Sequence, residues 1–124
     1  MNTYKVLVIE DSPELADSLE DILKLRGYTP LIATTGKQGI DLALEHHPDL
    51  ILLDIKLPDI SGYDVFHTLR KDTWGAKADV MILTASESLE NIAKNINLPL
   101  EDILFKPEQS VSDLLEKVTR RLNG

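Results

Sequence analysis

The stretch from residue 48 to residue 62, PDLILLDIKLPDISG, combines an apolar run with an acid in a position that suits chemistry. Residues 50–53 are apolar without alternation, which is typical of a strand that is covered on both faces. Asp54 follows directly, where the strand is predicted to end. In open parallel sheets, side chains at the carboxyl ends of strands face the ligand crevice. The position of Asp54 therefore favours a chemical role.

A second acidic group follows a second apolar run. Residues 4–9, YKVLVI, lead into Glu10 and Asp11. Two strands that end in carboxylates predict that three negative charges meet in one small volume, and unit charges about 4 Å apart repel by roughly 1 to 4 kcal/mol. We therefore expect a cation at this place. Oxygen ligands without histidine or cysteine suit a hard divalent ion, and a few carboxylates with room for water and phosphate suit Mg²⁺ better than Ca²⁺.

Two further apolar runs end in groups that could bind a phosphoryl group. Residues 80–83 lead into Thr84, a hydroxyl donor, and residues 103–105 lead into Lys106, a flexible cation. An acid pair, a single acid, a hydroxyl and a lysine thus follow four strands in chain order. Together they would supply a metal site, an acceptor and two donors for phosphoryl oxygens, which is the set that phosphoryl transfer needs.

In these residues, in this order and at this spacing, the chain resembles the receiver domain of two-component response regulators, over about residues 5–122. The resemblance implies that Asp54 is the phosphoacceptor and that Thr84 and Lys106 contact the phosphoryl group. It also implies that the peptide bond before Pro107, which is often cis in the family, aims Lys106 inward. The phosphodonor would be a phosphohistidine of a sensor histidine kinase or a phosphotransfer protein.

The same resemblance implies a ligand set for Mg²⁺. Asp11 and Asp54 would bind the ion directly, Glu10 would bind it through water, and the backbone carbonyl of Lys56 would complete the ligands from the protein. The chain would then be a signalling switch rather than an enzyme acting on other substrates. Its phosphorylation would change the affinity of the face formed by helix four, strand five and helix five for a downstream protein, with the chain a monomer or a dimer linked to phosphorylation.

The sequence departs from the family in three places. Ile103 stands where receivers usually carry an aromatic residue, and Phe105 should share its face because side chains alternate along a strand. This substitution leaves open a receiver-like docking module that is insensitive to phosphorylation. The common Gly-Ala step before strand five is missing, so helix four is expected to be short or displaced. Lys56, two residues after Asp54, is expected to affect dephosphorylation rather than phosphorylation.

The rest of the chain predicts an α/β domain. Strands alternate with helices five times, which indicates right-handed crossovers and a doubly wound parallel sheet. A flavodoxin-like order, 2-1-3-4-5, would place strands one and three side by side at the switch point. Helix starts are predicted at Ser12, at Thr35 with Gln38 in capping-box spacing, and at Ser110, and Gly27 is a predicted helix end. The second and fourth strands are predicted over residues 29–34 and 79–83, and the second and fourth helices over residues 35–45 and 87–95.

Composition limits the class of protein. The 124 residues, 43% of them hydrophobic, suit one domain, here residues 1–124. A net charge of −8 argues against unaided binding to nucleic acid or to an anionic membrane. The absence of cysteine, of an apolar leader and of a long apolar run predicts a soluble, cytoplasmic protein. We expect either a stand-alone receiver or part of a longer protein.

Two other classes share parts of this pattern. A phosphatase or phosphotransferase with an aspartyl intermediate normally has a second acid two residues after the nucleophile, where this chain has Lys56. A flavodoxin-like electron carrier shares the topology, but Glu10 and Asp11 would repel the phosphate of its cofactor. The three histidines, His46, His47 and His67, have no metal-ligand spacing and are predicted to be surface or packing residues, and Trp74 is predicted to pack locally.

Overall fold

The fold is seen in a computed structural model that describes residues 3–85, 88–106 and 110–123. Five strands alternate with five helices along the chain, and two short 3₁₀ turns, Gly75–Lys77 and Leu100–Asp102, precede the last two strands. In chain order the elements are β1 (Lys5–Ile9), α1 (Pro13–Leu25), β2 (Thr29–Ala33), α2 (Gly36–His46), β3 (Leu50–Asp54), α3 (Gly62–Arg70), β4 (Val80–Thr84), α4 (Leu89–Asn95), β5 (Ile103–Phe105) and α5 (Val111–Asn123).

All strand pairs in the sheet are parallel, and the strand order is 2-1-3-4-5. The predicted flavodoxin-like topology is therefore confirmed. β1 lies between β2 and β3, with Ile9 opposite Ala33 on one side and opposite Leu53 on the other. The carboxyl ends of β1 and β3 are thus adjacent, which is the switch point of this topology.

The sheet is covered on both faces, and strand alternation divides the core into two layers. Leu7 and Ile9 of β1 face α2 and α3, whereas Val6 and Val8 face α1 and α5. β3 and β4 are buried along their whole length. Because both faces of these strands are apolar, their side chains show no alternation in the sequence, as predicted for a buried parallel sheet.

The helix starts follow the predicted capping residues with one exception. Thr35 Oγ1 accepts a hydrogen bond from the backbone N–H of Gln38 at 3.1 Å, and Gln38 Oε1 accepts one from the N–H of Thr34 at 2.9 Å. Ser110 Oγ accepts one from the N–H of Asp113 at 3.1 Å. Ser12 occupies the N-cap position of α1, but its side chain makes no capping bond to the described residues. Its predicted place is right and the predicted role of its hydroxyl is wrong.

The fourth helix is short, as expected, with seven residues. Ser88 caps it by accepting a hydrogen bond from the N–H of Asn91 at 3.1 Å, and the predicted start at residue 87 lies outside the described residues. Ile103 and Phe105 both pack in the layer that faces α2, α3 and α4, so they share one face of β5. No helix within the described ranges has the length and apolar character needed to cross a membrane.

Candidate functional site

Three carboxylates meet where β1 and β3 end. Glu10 and Asp11 follow β1, and Asp54 is the last residue of β3. The register that pairs Ile9 with Leu53 places the two strand ends side by side. One carboxylate oxygen from each of the three residues lies within 4.8 Å of the others. The sheet topology therefore brings together the acids that the sequence separates by more than forty residues.

Glu10 is the most enclosed of these acids, because none of its surface is exposed. Its Oε2 accepts a hydrogen bond from the backbone N–H of Ser12 at 2.9 Å, and its Oε1 forms an ion pair with Lys106. Burial raises the pKa of the Glu10 carboxyl, although the hydrogen bonds with Lys106 and Ser12 oppose that rise. The N–H of Ser12 thus supports the acid cluster while the residue begins α1.

Lys106 extends from the end of β5 into this cluster. Its ammonium donates to Asp54 Oδ2 at 2.9 Å and also contacts Glu10. Burial alone would lower the pKa of Lys106, but the hydrogen bonds with Glu10 and Asp54 outweigh it and the pKa is raised. The lysine is therefore a positive charge in the site. Pro107 lies outside the described residues.

Asp54 has both carboxylate oxygens in defined positions. It is 4% exposed, Oδ2 accepts from Lys106, and Oδ1 accepts from the backbone N–H of Lys56 at 3.3 Å. The following loop folds back tightly, since the N–H of Gly62 donates to the carbonyl of Ile55 at 2.7 Å. A Cβ at Gly62 would lie 2.3 Å from the carbonyl oxygen of Asp54, so this approach requires glycine.

The other two predicted site residues lie at the same edge of the sheet. Asp54 pairs with Leu83 in the β3–β4 ladder, and the next residue, Thr84, ends β4 with 1% of its surface exposed. Lys56 begins the loop after β3, and its side chain is exposed to solvent. Thr84 thus lies on the buried side of the strand ends, and Lys56 lies on the side open to water.

The charges and donor atoms at this edge fit a hard divalent cation. Three carboxylates and one ammonium leave two negative charges unbalanced, and one divalent cation would neutralise them. The side-chain donors in the cluster are carboxylate oxygens, which Mg²⁺ prefers. Because Asp11 is exposed while Glu10 and Asp54 are buried, the cluster offers an ion one open side for water and phosphate oxygens.

The sequence prediction missed one residue near this site. Asp59, in the loop between β3 and α3, accepts hydrogen bonds from the first two backbone N–H groups of α2, at 2.8 Å from Gly36 and 3.0 Å from Lys37. The contact joins residues 23 and 22 positions apart, so neither local spacing nor periodicity could have revealed it.

The histidines and the tryptophan lie outside the acid cluster, as predicted. His47 stacks on Trp74 with ring centroids 4.5 Å apart, at the opposite end of the sheet. His67 Nε2 lies 2.7 Å from the carbonyl oxygen of Asn95 and links α3 to α4. These contacts give the aromatic side chains packing roles.

A family model described as the response regulator receiver domain matches residues 6–119. The chain belongs to this family. Receiver domains are signalling modules that interact with histidine kinases or phosphotransfer proteins, and they are generally not classed as enzymes.

Among curated proteins, the cell cycle response regulator CtrA of Brucella ovis is 33% identical over 122 residues, which are 97% of this chain and 52% of that protein. The chain thus spans about half the length of this relative.

Solved receiver structures have the same fold. A CheY-like receiver domain protein from Methanospirillum hungatei is 28% identical, with a TM-score of 0.83, over 98% of this chain and 95% of the other. The receiver domain of the sensor histidine kinase PA1611 from Pseudomonas aeruginosa is 26% identical, with a TM-score of 0.84, over 99% of this chain and 100% of the other. That structure has a magnesium ion coordinated in its active-site cleft.

Proposed function

We propose that this receiver domain accepts a phosphoryl group on Asp54, with Mg²⁺ as cofactor, and thereby changes its affinity for a downstream protein. The donor is a phosphohistidine of a sensor histidine kinase or a phosphotransfer protein. The observation that carries the proposal is the meeting of Glu10, Asp11 and Asp54 with Lys106 at one edge of the sheet. This arrangement leaves negative charge that can bind a divalent cation, and that cation and Lys106 can then attract the anionic phosphoryl group.

The transfer forms one bond and breaks one. An oxygen of the ionised Asp54 carboxylate attacks the phosphorus, the P–O bond forms, and the P–N bond breaks to leave an imidazole that takes up a proton. Mg²⁺, when bound, supplies positive charge that offsets the charge of the phosphoryl oxygens. Asp11 and Asp54 would hold it directly, Glu10 would hold it through water, and the Lys56 carbonyl would complete the protein ligands.

Lys106 and the backbone of the chain orient the acceptor. The ammonium of Lys106 holds Asp54 Oδ2, and the N–H of Lys56 holds Oδ1, so the carboxylate is fixed before the donor arrives. Orientation of this kind lowers the entropic part of the barrier. After transfer, Lys106 and the hydroxyl of Thr84 would contact the phosphoryl oxygens.

The signal requires that these contacts differ between two conformations, because a phosphoryl group shifts an equilibrium only by its differential interactions. Thr84 ends β4 and Lys106 follows β5, next to the surface formed by α4, β5 and α5. We infer that this surface binds the downstream protein. The binding surface would change when Thr84 and Lys106 adjust to the phosphoryl group.

Ile103 favours a second candidate, a docking module that is insensitive to phosphorylation. Its side chain is 7% exposed and packs in the core layer of β5, in the place where an aromatic residue usually switches. Amide hydrogen exchange with and without acetyl phosphate separates the two functions. Altered exchange in α4, β5 and α5 after phosphorylation supports the switch, and unchanged exchange in a fully phosphorylated protein supports the docking module.

Labelling with acetyl phosphate and Mg²⁺ tests the acceptor directly. We expect one acid-labile phosphoryl group per wild-type chain, located by mass spectrometry on the peptide that contains Asp54, and none in Asp54→Asn. Asp41→Asn, at an exposed position of α2, makes the same change of charge and should label like the wild type. Labelling that persists at another residue of Asp54→Asn would overturn the assignment.

A further inference from the structure

Asp59 joins the β3–α3 loop to the start of α2 through both of its carboxylate oxygens. Oδ1 accepts from the N–H of Gly36 at 2.8 Å, and Oδ2 accepts from the N–H of Lys37 at 3.0 Å. These hydrogen bonds lower the pKa of the Asp59 carboxyl to about 2, with the bond from Lys37 contributing most. The carboxylate is therefore ionised at every pH at which the protein would work.

A close contact beside Asp59 holds the same loop against the same helix. A Cβ at Gly36 would lie 2.5 Å from the side chain of Ile60, so the absence of a side chain there lets Ile60 pack directly over the start of α2. At its far end the loop is closed by the hydrogen bond from Gly62 to Ile55. The segment 55–62, which contains Lys56, is thus held at both ends and against α2.

From these contacts we propose that Asp59 is a positioning residue for the metal site, because its ionic tether to α2 fixes the loop that presents the Lys56 carbonyl. The inference rests on the proposed function, in which that carbonyl is a ligand of Mg²⁺. Two residues separate Lys56 from Asp59, so a loop released at Asp59 would sample conformations in which the carbonyl points elsewhere. Metal binding would then include the cost of ordering the loop.

Capping of α2 does not by itself explain the contact. Thr35 already caps this helix by accepting from the N–H of Gln38, and Gln38 in turn accepts from Thr34. Asp59, from a different part of the chain, accepts hydrogen bonds from the N–H groups of Gly36 and Lys37. Because Thr35 and Asp59 accept from different N–H groups, Thr35→Ala is a matched control. It weakens the helix start and leaves the hydrogen bonds between the loop and the helix in place.

The test is a titration of the unphosphorylated full chain with MgCl₂, followed by amide chemical shifts of Asp11 and Lys56 in ¹⁵N NMR spectra. Partners of a metal ligand typically contribute about 10- to 100-fold to metal affinity. Asp59 holds the loop that carries the Lys56 carbonyl and does not bond to that carbonyl itself. We therefore expect a smaller effect, with Asp59→Ala weakening Mg²⁺ binding roughly threefold to tenfold. Asp59→Asn, which keeps one acceptor oxygen, should fall between Asp59→Ala and the wild type.

Labelling by acetyl phosphate gives an independent readout. In Asp59→Ala, the Mg²⁺ concentration for half-maximal labelling should rise by the same factor, while the rate at saturating Mg²⁺ stays that of the wild type. Thr35→Ala and Asp41→Asn should bind Mg²⁺ like the wild type, the first despite a less stable α2. This split between affinity and maximal rate separates positioning from a general loss of structure.

The outcomes are distinct. Unchanged Mg²⁺ affinity in Asp59→Ala, together with faster amide exchange at Gly36 and Lys37, would show that the tether is lost without effect on the metal and would overturn this inference alone. Equal weakening in Thr35→Ala would also overturn it, because helix stability would then explain the effect. Failure of the wild type to bind Mg²⁺ would overturn the proposed function and, with it, this inference.

Discussion

The two ends of the sheet handle charge in opposite ways. At the amino ends of β4 and β5, Arg121 of α5 pairs with both Asp79 and Asp102, and Asp102 is buried. Arg70 lies near Asp79, and its guanidinium donates to the carbonyls of Gly75 and Ala78 at 2.7 and 2.8 Å. Within the described part of the chain, both acids therefore have an arginine partner at this end of the sheet.

At the carboxyl ends of β1 and β3, the charges do not balance. Among the described residues, Glu10 and Asp54 pair with the ammonium of Lys106, while Asp11 adds a third carboxylate to the same cluster. Keeping like charges together destabilises a fold unless a cation joins them. The comparison indicates that the amino end serves stability, whereas the carboxyl end retains an excess of negative charge that a metal cation can neutralise.

The largest effect on folding is expected at the amino end. Arg121→Gln should lower the free energy of unfolding by about 2 kcal/mol, because it leaves the buried Asp102 without its ionic partner. Urea denaturation measures the change. Arg120→Gln is the matched control, since Arg120 is exposed and, among the described residues, its ion pair is with Glu116 on its own helix, and it should change stability by less than about 0.5 kcal/mol. Equal effects of the two variants would refute a stabilising charge cluster at this end.

A smaller effect, on kinetics, is expected at the carboxyl end. Lys56→Ala should accelerate loss of the phosphoryl group from Asp54 by roughly threefold, because a solvent-exposed side chain two residues after Asp54 would crowd or steer the attacking water. The labelling rate and the unfolding free energy should not change. Lys71→Ala, at an exposed position after α3, removes the same charge elsewhere. Decay of the phosphoprotein is followed after removal of acetyl phosphate, and an unchanged decay rate would refute a role for Lys56.

The smallest effect is expected for the pH dependence of stability at Asp59. This residue lies at the carboxyl end of the sheet, and its carboxylate is stabilised by hydrogen bonds from backbone N–H groups. Its pKa in the folded chain, about 2, is below the ordinary value of 3.8. Its contribution to stability is therefore fully present above about pH 4 and is lost as the pH falls toward 2. The difference in unfolding free energy between the wild type and Asp59→Asn should shrink over that range. A difference that stays constant down to pH 2 would contradict this.

The sequence predicted those features that depend on short stretches. Continuous apolar runs marked the buried strands, an acid, a hydroxyl or a lysine after each run marked the site, and the spacing of Thr35 and Gln38 marked the start of α2. The tether from Asp59 to α2 and the pairing of Arg121 with Asp79 could not be predicted, because they join residues 22 to 42 positions apart that only tertiary packing brings together. Ser12 occupies the predicted N-cap position, but its side chain makes no capping bond to the described residues, and its N–H donates to the buried Glu10.

The unbalanced negative charge at the carboxyl end is expected to bind Mg²⁺. Titration of the wild type with MgCl₂, followed by ¹⁵N NMR, tests it most directly. We predict saturable binding with the largest shifts at Glu10, Asp11 and Asp54. Asp11→Asn should weaken this binding at least about tenfold, whereas Asp41→Asn should not change it. Absence of saturable shifts at these residues, or equal affinity in Asp11→Asn, would contradict the account.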